Sequence, residues 1–227
     1  MKSIELYNDG IGRVDLVDYM GSDLTIVNSA RVSFGKEKET LDDKDHKLIK
    51  YLVKHRHTST FEHNVVTFRF VVPLYVRSQH HRHRTWSFNE ISRRYTDINI
   101  QFYEPNSYRT QHKSNRQASN DDELGEGSLY SIEAVKNHHK QSLDLFNRLL
   151  GVGVCREQAR GVLPQNMYTE YYGTVNLNNL LKFIDLRTHE GAQWEIRKVA
   201  HACLTIAEDL WPTAVGSYRE NKNENKD

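Results

Sequence analysis

Residues 64–72 alternate cleanly, with Val66, Phe68, Phe70 and Val72 on one side and Val65, Thr67, Arg69 and Val71 on the other. A period of two predicts a strand with one apolar face and one partly polar face. Pro73 closes it and can open a short helix through Leu74, Tyr75, Val76 and Gln79. The same period predicts an edge strand over 13–19 and a further strand over 95–103, and the tyrosines and threonines of 168–175 predict another. Three-and-four spacing predicts helices elsewhere. Leu48, Ile49, Leu52 and Val53 form a stripe within 42–54, acidic early and basic late as the helix dipole prefers. Ile132, Val135, His139, Leu143, Phe146 and Leu150 mark 129–150, which Gly151 and Gly153 end, and on that stripe His139 reads as a core histidine. Leu177, Leu180, Leu181 and Ile184 follow a capping Asn176, and Ile196, Val199, Ala200, Cys203, Ile206 and Leu210 mark 192–210. Gly21-Ser22-Asp23 predicts a further helix start, and 155–161 a short helical turn stopped by Pro164.

Between these segments, 105–127 is polar and holds few apolar anchors, which predicts an excursion or lid on a domain that continues on both sides. At 227 residues the chain can hold one large domain or two small ones. Lys plus Arg at 31 balances Asp plus Glu at 30, so no global charge seeks a polyanion. No apolar run approaches the roughly 20 residues that span a bilayer, and residues 1–5 lack the apolar stretch of a signal peptide. Two cysteines, Cys155 and Cys203, give no disulfide framework and point to a reducing cytoplasm. A hydrophobic fraction of 37% with 12 tyrosines suggests that some surface is covered between subunits.

Positive charge is gathered in 80–94. Residues 82–94 read Arg-His-Arg-Thr-Trp-Ser-Phe-Asn-Glu-Ile-Ser-Arg-Arg, four arginines with serine, asparagine and histidine donors around one acid, Glu90. Guanidinium forks, hydroxyls and amides suit phosphate and polar ring edges, so this stretch reads as a site for an anionic, heteroatom-rich ligand. Arg160 and Arg187 extend the set. Arg187 shares the apolar face of its helix with Leu180 and Ile184, so its guanidinium needs an anion or carbonyl partner there or must reach solvent. The residues alone leave a rival open: Trp86, Phe88 and Tyr95 could stack bases in a polynucleotide-binding module. A metal site from His57, Glu62 and His63 is disfavoured, because no metal-protease spacing and no nearby cysteine support it.

The string 82–94 fits the pattern RHRxxSxNExSxR at Arg82, His83, Arg84, Ser87, Asn89, Glu90, Ser92 and Arg94, and so resembles the flavin-dependent thymidylate synthases. Segments 30–34 and 157–164 resemble the same family. The resemblance implies reductive methylation of dUMP at C5 to dTMP, with methylenetetrahydrofolate as carbon donor and NADPH-reduced FAD as hydride source. It implies a homotetramer with shared sites, no nucleic-acid or membrane partner and no metal. It places Gln79, Arg82, Glu90, Ile91, Ser92, Arg93, Arg94, Arg160 and Arg187 on dUMP, with Arg187 as the catalytic cation. It places Ser33, His57, Ser59, Glu62, Arg82, His83, Arg84, Glu90, Asn176, Asn178 and Lys182 on FAD. Asn178, Lys182 and Gly191 stand where relatives often carry Arg, Asn or His, and His, respectively. Pattern and likeness together predict a single α+β domain over 1–219, an antiparallel sheet flanked by helices, with a charged flexible tail at 220–227.

Overall fold

The computed structural model describes residues 2–224. Two strands, β1 (Ser3–Glu5) and β2 (Arg13–Met20), precede helices α1 (Asp23–Arg31) and α2 (Asp43–Lys54). Strand β3 (Val65–Pro73) runs into α3 (Leu74–His80), and β4 (Ser87–Glu90) is followed by a hairpin of β5 (Arg109–Gln111) and β6 (Ser119–Glu123). Then come the long α4 (Glu126–Gly151), the short α5 (Arg156–Ala159), strand β7 (Tyr168–Asn176), and helices α6 (Leu177–Thr188), α7 (Trp194–Leu210) and α8 (Pro212–Glu224).

The alternation of β3 decides the sheet. Its order is β1-β2-β3-β7-β4, every pair antiparallel. Val66, Phe68, Phe70 and Val72 are fully buried. They lie opposite Val175, Gly173, Tyr171 and Thr169 of β7 on one face, which α3, α6 and α7 cover. Gly173 is required by close approach: a Cβ there would lie 2.9 Å from the Phe70 ring and 3.2 Å from Trp86. The other face is polar, with Thr67 bonded to Thr174 and Arg69 paired to Glu170, each at 2.8 Å.

Local chemistry sets the helix ends. Ser22 and Thr25 form a capping box at α1. Asp42 caps α2, and the Lys38 ammonium bonded to it holds its carboxyl down at about 2. Asp23 accepts from the Thr213 and Ala214 amides at the start of α8. His139 is the satisfied core histidine expected: Nδ1 donates to Glu104 at 2.8 Å, Nε2 accepts from Asn166, and the ring stacks on Phe102.

Several expectations are corrected. The 13–19 strand is not an edge, because β1 pairs outside it and Ser3 bonds its buried Asp15. The 95–103 strand is absent: Arg93 takes the carbonyls of Ile98 and Asn99 that a ladder would need, and only Phe102 bridges to Met167. The strand forms instead inside the basic stretch, as β4. The 105–127 segment, expected as a polar excursion or lid, holds the β5–β6 hairpin, which adds to that expectation and does not overturn it. The charged tail from 220 is helical over its first residues, because α8 continues to Glu224, with Glu220 paired to Lys50 and Lys222 to Asp185. Residues 225–227 of that tail lie outside the described residues. The single α+β architecture, with an antiparallel sheet between helices, is as expected.

Phe70 sits among the rings of Tyr171, His80 and Trp86. Phe70→Ala removes that buried ring and is expected to cost about 3–5 kcal/mol, read as a lower urea midpoint at unchanged slope.

Candidate active site

The end of α3 and the start of β4 shape the basic stretch. After His80 the backbone closes two more turns, with the Arg82 amide donating to Gln79 and the His83 amide to His80. This turns His83 inward and leaves Arg82 and Arg84 exposed. The period of β4 then divides the stretch between the two faces of the sheet. Phe88 and Glu90 face the helices, opposite Gly173 and Tyr171, whereas Ser87 and Asn89 face the open side, opposite Thr174 and Tyr172. The donors therefore do not all gather round one acid, as the sequence suggested. Glu90 instead accepts from Arg77 at 3.0 Å and from the Thr169 hydroxyl at 2.6 Å.

Arg187, near the end of α6, comes back to this turn. Its Nε donates to His83 Nε2 at 3.1 Å and its NH2 to the Gln79 carbonyl at 3.2 Å. His83 must keep that nitrogen unprotonated. Burial, reinforced by the Arg187 charge, pushes its pKa down to about 4. Both partners of Arg187 are neutral, and no carboxylate pairs with it among the described residues. Burial also lowers the guanidinium's own pKa, yet arginine stays cationic. The result is a half-buried positive charge whose solvation is incomplete, a standing attraction for an anion or for developing negative charge.

A second cluster lies beyond β4. Arg94 reaches Glu157 of α5 at 3.5 Å and lies over the Tyr95 ring, while Arg160, three residues after Glu157, is exposed. The Ser92 hydroxyl accepts from the Arg94 amide at 3.3 Å. Arg93 differs from its neighbour: its guanidinium is buried against the 98–99 carbonyls, so toward a ligand it can offer only backbone. Ile91 is partly exposed and its amide is used by Glu170.

The flavin-assigned residues lie mostly at the other end of α6. Asn178 precedes Arg187 by nine positions, roughly 13 Å along a helix. A hollow of about 580 Å³ opens there between α2, α6 and α8, floored by Leu52, Phe61 and Leu181 and edged by Arg56 and Lys182 and by the Lys222–Asp185 pair. An apolar floor with a cationic rim fits a ring system carrying a pyrophosphate. Asn178 donates to Glu62 at 2.8 Å, and the Asn176 side-chain oxygen is taken as the cap of α6. His57 and Ser59 are exposed on the neighbouring turn, which Ser29 ties to α1 through the Thr60 carbonyl. Ser33 is exposed just beyond α1, beside the exposed Val32 and Phe34. His83, Arg82, Arg84 and Glu90 lie apart from this hollow, with the nucleotide-assigned set.

Arg77, Thr169 and Gln193 were not singled out by the sequence, although the first two hold Glu90 and the third bonds the Gln79 amide. Only the strand pairing across 79 positions could reveal Thr169. Among the described residues no group of three or more His, Cys, Asp or Glu side chains is placed to hold a metal. Cys203 is buried, which pushes its thiol up, and the exposed Cys155 donates to Gln158.

The family model described as thymidylate synthase complementing protein matches residues 15–213. The flavin-dependent thymidylate synthase of Thermus thermophilus is 44% identical over 210 residues, covering 92% of this chain and 76% of that protein. The enzyme of the same name from Thermosipho melanesiensis is 39% identical, covering 91% and 90%. Among solved structures, the UMP/dUMP methylase PolB from Streptomyces cacaoi bound with 5-Br dUMP superposes with a TM-score of 0.85 at 34% identity, covering 96% of this chain and 97% of that one. The same methylase bound with 5-Br UMP gives 0.84.

His83 has a testable signature. An unfolded imidazole takes up its proton near 6.5 and this folded one near 4, so the unfolded chain binds more protons between those values. Stability is therefore expected to fall as pH drops from about 6.5 to about 4, and NMR titration of the His83 ring should show no midpoint above about 5.

Proposed function

This chain belongs to the flavin-dependent thymidylate synthases, and from that membership we propose that it methylates dUMP at C5 to give dTMP. The observation that carries the reading is Arg187, a guanidinium held between neutral groups at the mouth of the basic turn. As uracil C5 becomes nucleophilic, negative charge gathers on the ring, and a cation already fixed there stabilises it with little reorganisation. Arg187 is thus the catalytic residue of the proposal. Arg82, Arg94 and Arg160 supply the phosphate contacts, Gln79, Glu90 and Ser92 the polar edges, and Ile91 and Arg93 backbone alone. No cysteine nucleophile is assigned: neither Cys155 nor Cys203 bonds any residue of this set.

FAD is the cofactor, and when bound it supplies the hydride of the reduction. Ser33, His57, Ser59, Glu62, Asn176, Asn178 and Lys182 would hold it along the hollow, with Arg82, His83, Arg84 and Glu90 at the nucleotide end. NADPH as reductant and methylenetetrahydrofolate as carbon donor complete the chemistry. We assign the active form as a homotetramer with shared sites. In support, Ser33, Arg82, Arg84, Arg94 and Arg160 all lie open on one protomer, and large apolar side chains such as Val32, Phe34, Leu129 and Tyr130 stay exposed near or beyond them. No helix among the described residues is long and apolar enough to cross a membrane. A cytoplasmic setting suits the free thiols.

Release of tritium from C5-labelled dUMP by the flavin-loaded protein tests the reading, with labelled UMP offered in parallel because the Streptomyces cacaoi methylase is known with analogues of both nucleotides. Arg187→Ala is expected to lower release at least 100-fold with flavin content unchanged. Arg94→Ala is expected to weaken dUMP about ten- to 150-fold, the loss of one charge-assisted bond. Tritium release by Arg187→Ala at the wild-type rate removes the mechanism.

A further inference from the structure

The β5–β6 hairpin reaches the first turn of α7 through Arg109. Its guanidinium lies 4.9 Å over the Trp194 ring, donates to Ser119 within the hairpin at 2.9 Å, and donates to Glu195 Oε1 at 2.8 Å. Glu195 is only 4% exposed, and its other oxygen accepts from the Gln193 amide at 2.9 Å. Gln193 in turn accepts, through its side-chain oxygen, from the Gln79 amide nitrogen. Gln79 accepts at its backbone carbonyl from Arg187. An unbroken line of hydrogen bonds thus runs from the hairpin to the cation at the nucleotide site.

The polarity of the line is fixed from the hairpin end. A carboxylate can only accept, so Glu195 turns the nitrogen of Gln193 toward itself and its oxygen toward Gln79. That oxygen draws in the Gln79 nitrogen and leaves Gln79 Oε1 without a protein partner. A buried acceptor without a partner favours a ligand N–H or O–H. Without Arg109, Glu195 would be a buried carboxylate short of its strongest donor, and would be drawn toward water. Gln193 could then rotate and Gln79 would lose its orientation.

We propose that Arg109 is a positioning residue for the nucleotide site, acting through Glu195 and Gln193 on Gln79, so that docking of the hairpin and binding of dUMP favour each other. The proposal rests on the dUMP reading above. Coupling of this kind is reciprocal, so the nucleotide should also protect the hairpin.

The experiment uses the flavin-loaded protein carrying Arg109→Ala, Arg109→Lys, Gln193→Ala or both alanine changes. Binding of dUMP is measured by calorimetry and hairpin protection by amide hydrogen exchange over 109–123. Each alanine variant is expected to weaken dUMP about 5- to 30-fold with unchanged flavin content, within the usual range for coupled sites. The double variant should be within about twofold of the worse single, because both cut one line. Arg109→Lys should recover most of the affinity. Added dUMP should slow hairpin exchange in the wild type but not in Gln193→Ala. Wild-type affinity in Arg109→Ala, multiplying effects in the double variant, or equal hairpin protection in Gln193→Ala would overturn the proposal while leaving the dUMP reading intact. A wild type that binds no dUMP takes down both. If Arg109→Ala fails to fold, Gln193→Ala, which leaves the Arg109–Glu195 pair in place, decides.

Discussion

The full-length antiparallel pairing of β3 with β7 is the constraint on which the site depends. Nine residues on each strand are in register, from Val65 opposite Asn176 to Pro73 opposite Tyr168. The pair is roughly 26 Å long at about 3.3 Å per residue. Helix α3 leaves one end and α6 the other, and both fold back over the buried face. Arg187 lies ten residues into its run from Leu177, and Gln79 five from Leu74, so the two helices cover roughly 15 and 8 Å. These lengths nearly add up to the length of the strands. The two helix ends therefore meet, and their meeting is the Arg187–Gln79–His83 cluster. A slip of one residue between β3 and β7 would turn Phe68 and Phe70 outward, so the apolar face that stabilises the core also fixes the register of the site.

Charge is arranged with the same economy. The acid of the basic stretch is not left to quench its arginines: Arg77 and Thr169 hold Glu90, and Glu157 takes Arg94 at the surface. Arg187 and the buried Arg93 both face neutral partners, but Arg93 is spent on backbone carbonyls whereas Arg187 stands at the basic turn. Its neighbours contribute through dryness: burial drives His83 and the fully enclosed His80 toward their neutral forms, so neither adds a competing positive charge nearby. His80 is held by the Tyr171 hydroxyl and ringed by Phe70, Trp86 and Phe183, which makes the turn behind Arg187 stiff. A rigid apolar backing behind an under-solvated cation suits the electrostatic role proposed for Arg187.

Much of this was written locally. The period of 64–72, the stripes of α2, α4, α6 and α7, the caps at Ser22, Asp42 and Asn176, and the crowd of arginines in 82–94 all follow from neighbours within a few positions. Local signals also misled. The alternation of 95–103 lost to Arg93, whose guanidinium consumed its carbonyls. Nothing local announced the β5–β6 hairpin, whose anchor, Glu195, lies 86 positions after Arg109. The start of α8 was hidden because part of its cap is a carboxylate from α1.

Sequence by itself determined most of the segments that become strand or helix, where the cations gather and, through thirteen consecutive residues, the kinship of the chain. It could do so because propensity, capping and motif spacing act over one or two turns of backbone. Tertiary structure alone decided which arginine stays uncompensated, which is spent on carbonyls, and how the two faces of β4 divide the basic stretch. Those outcomes depend on partners far apart in the chain, His83 with Arg187 and Thr169 with Glu90, brought together only when the sheet closes and water is excluded between them.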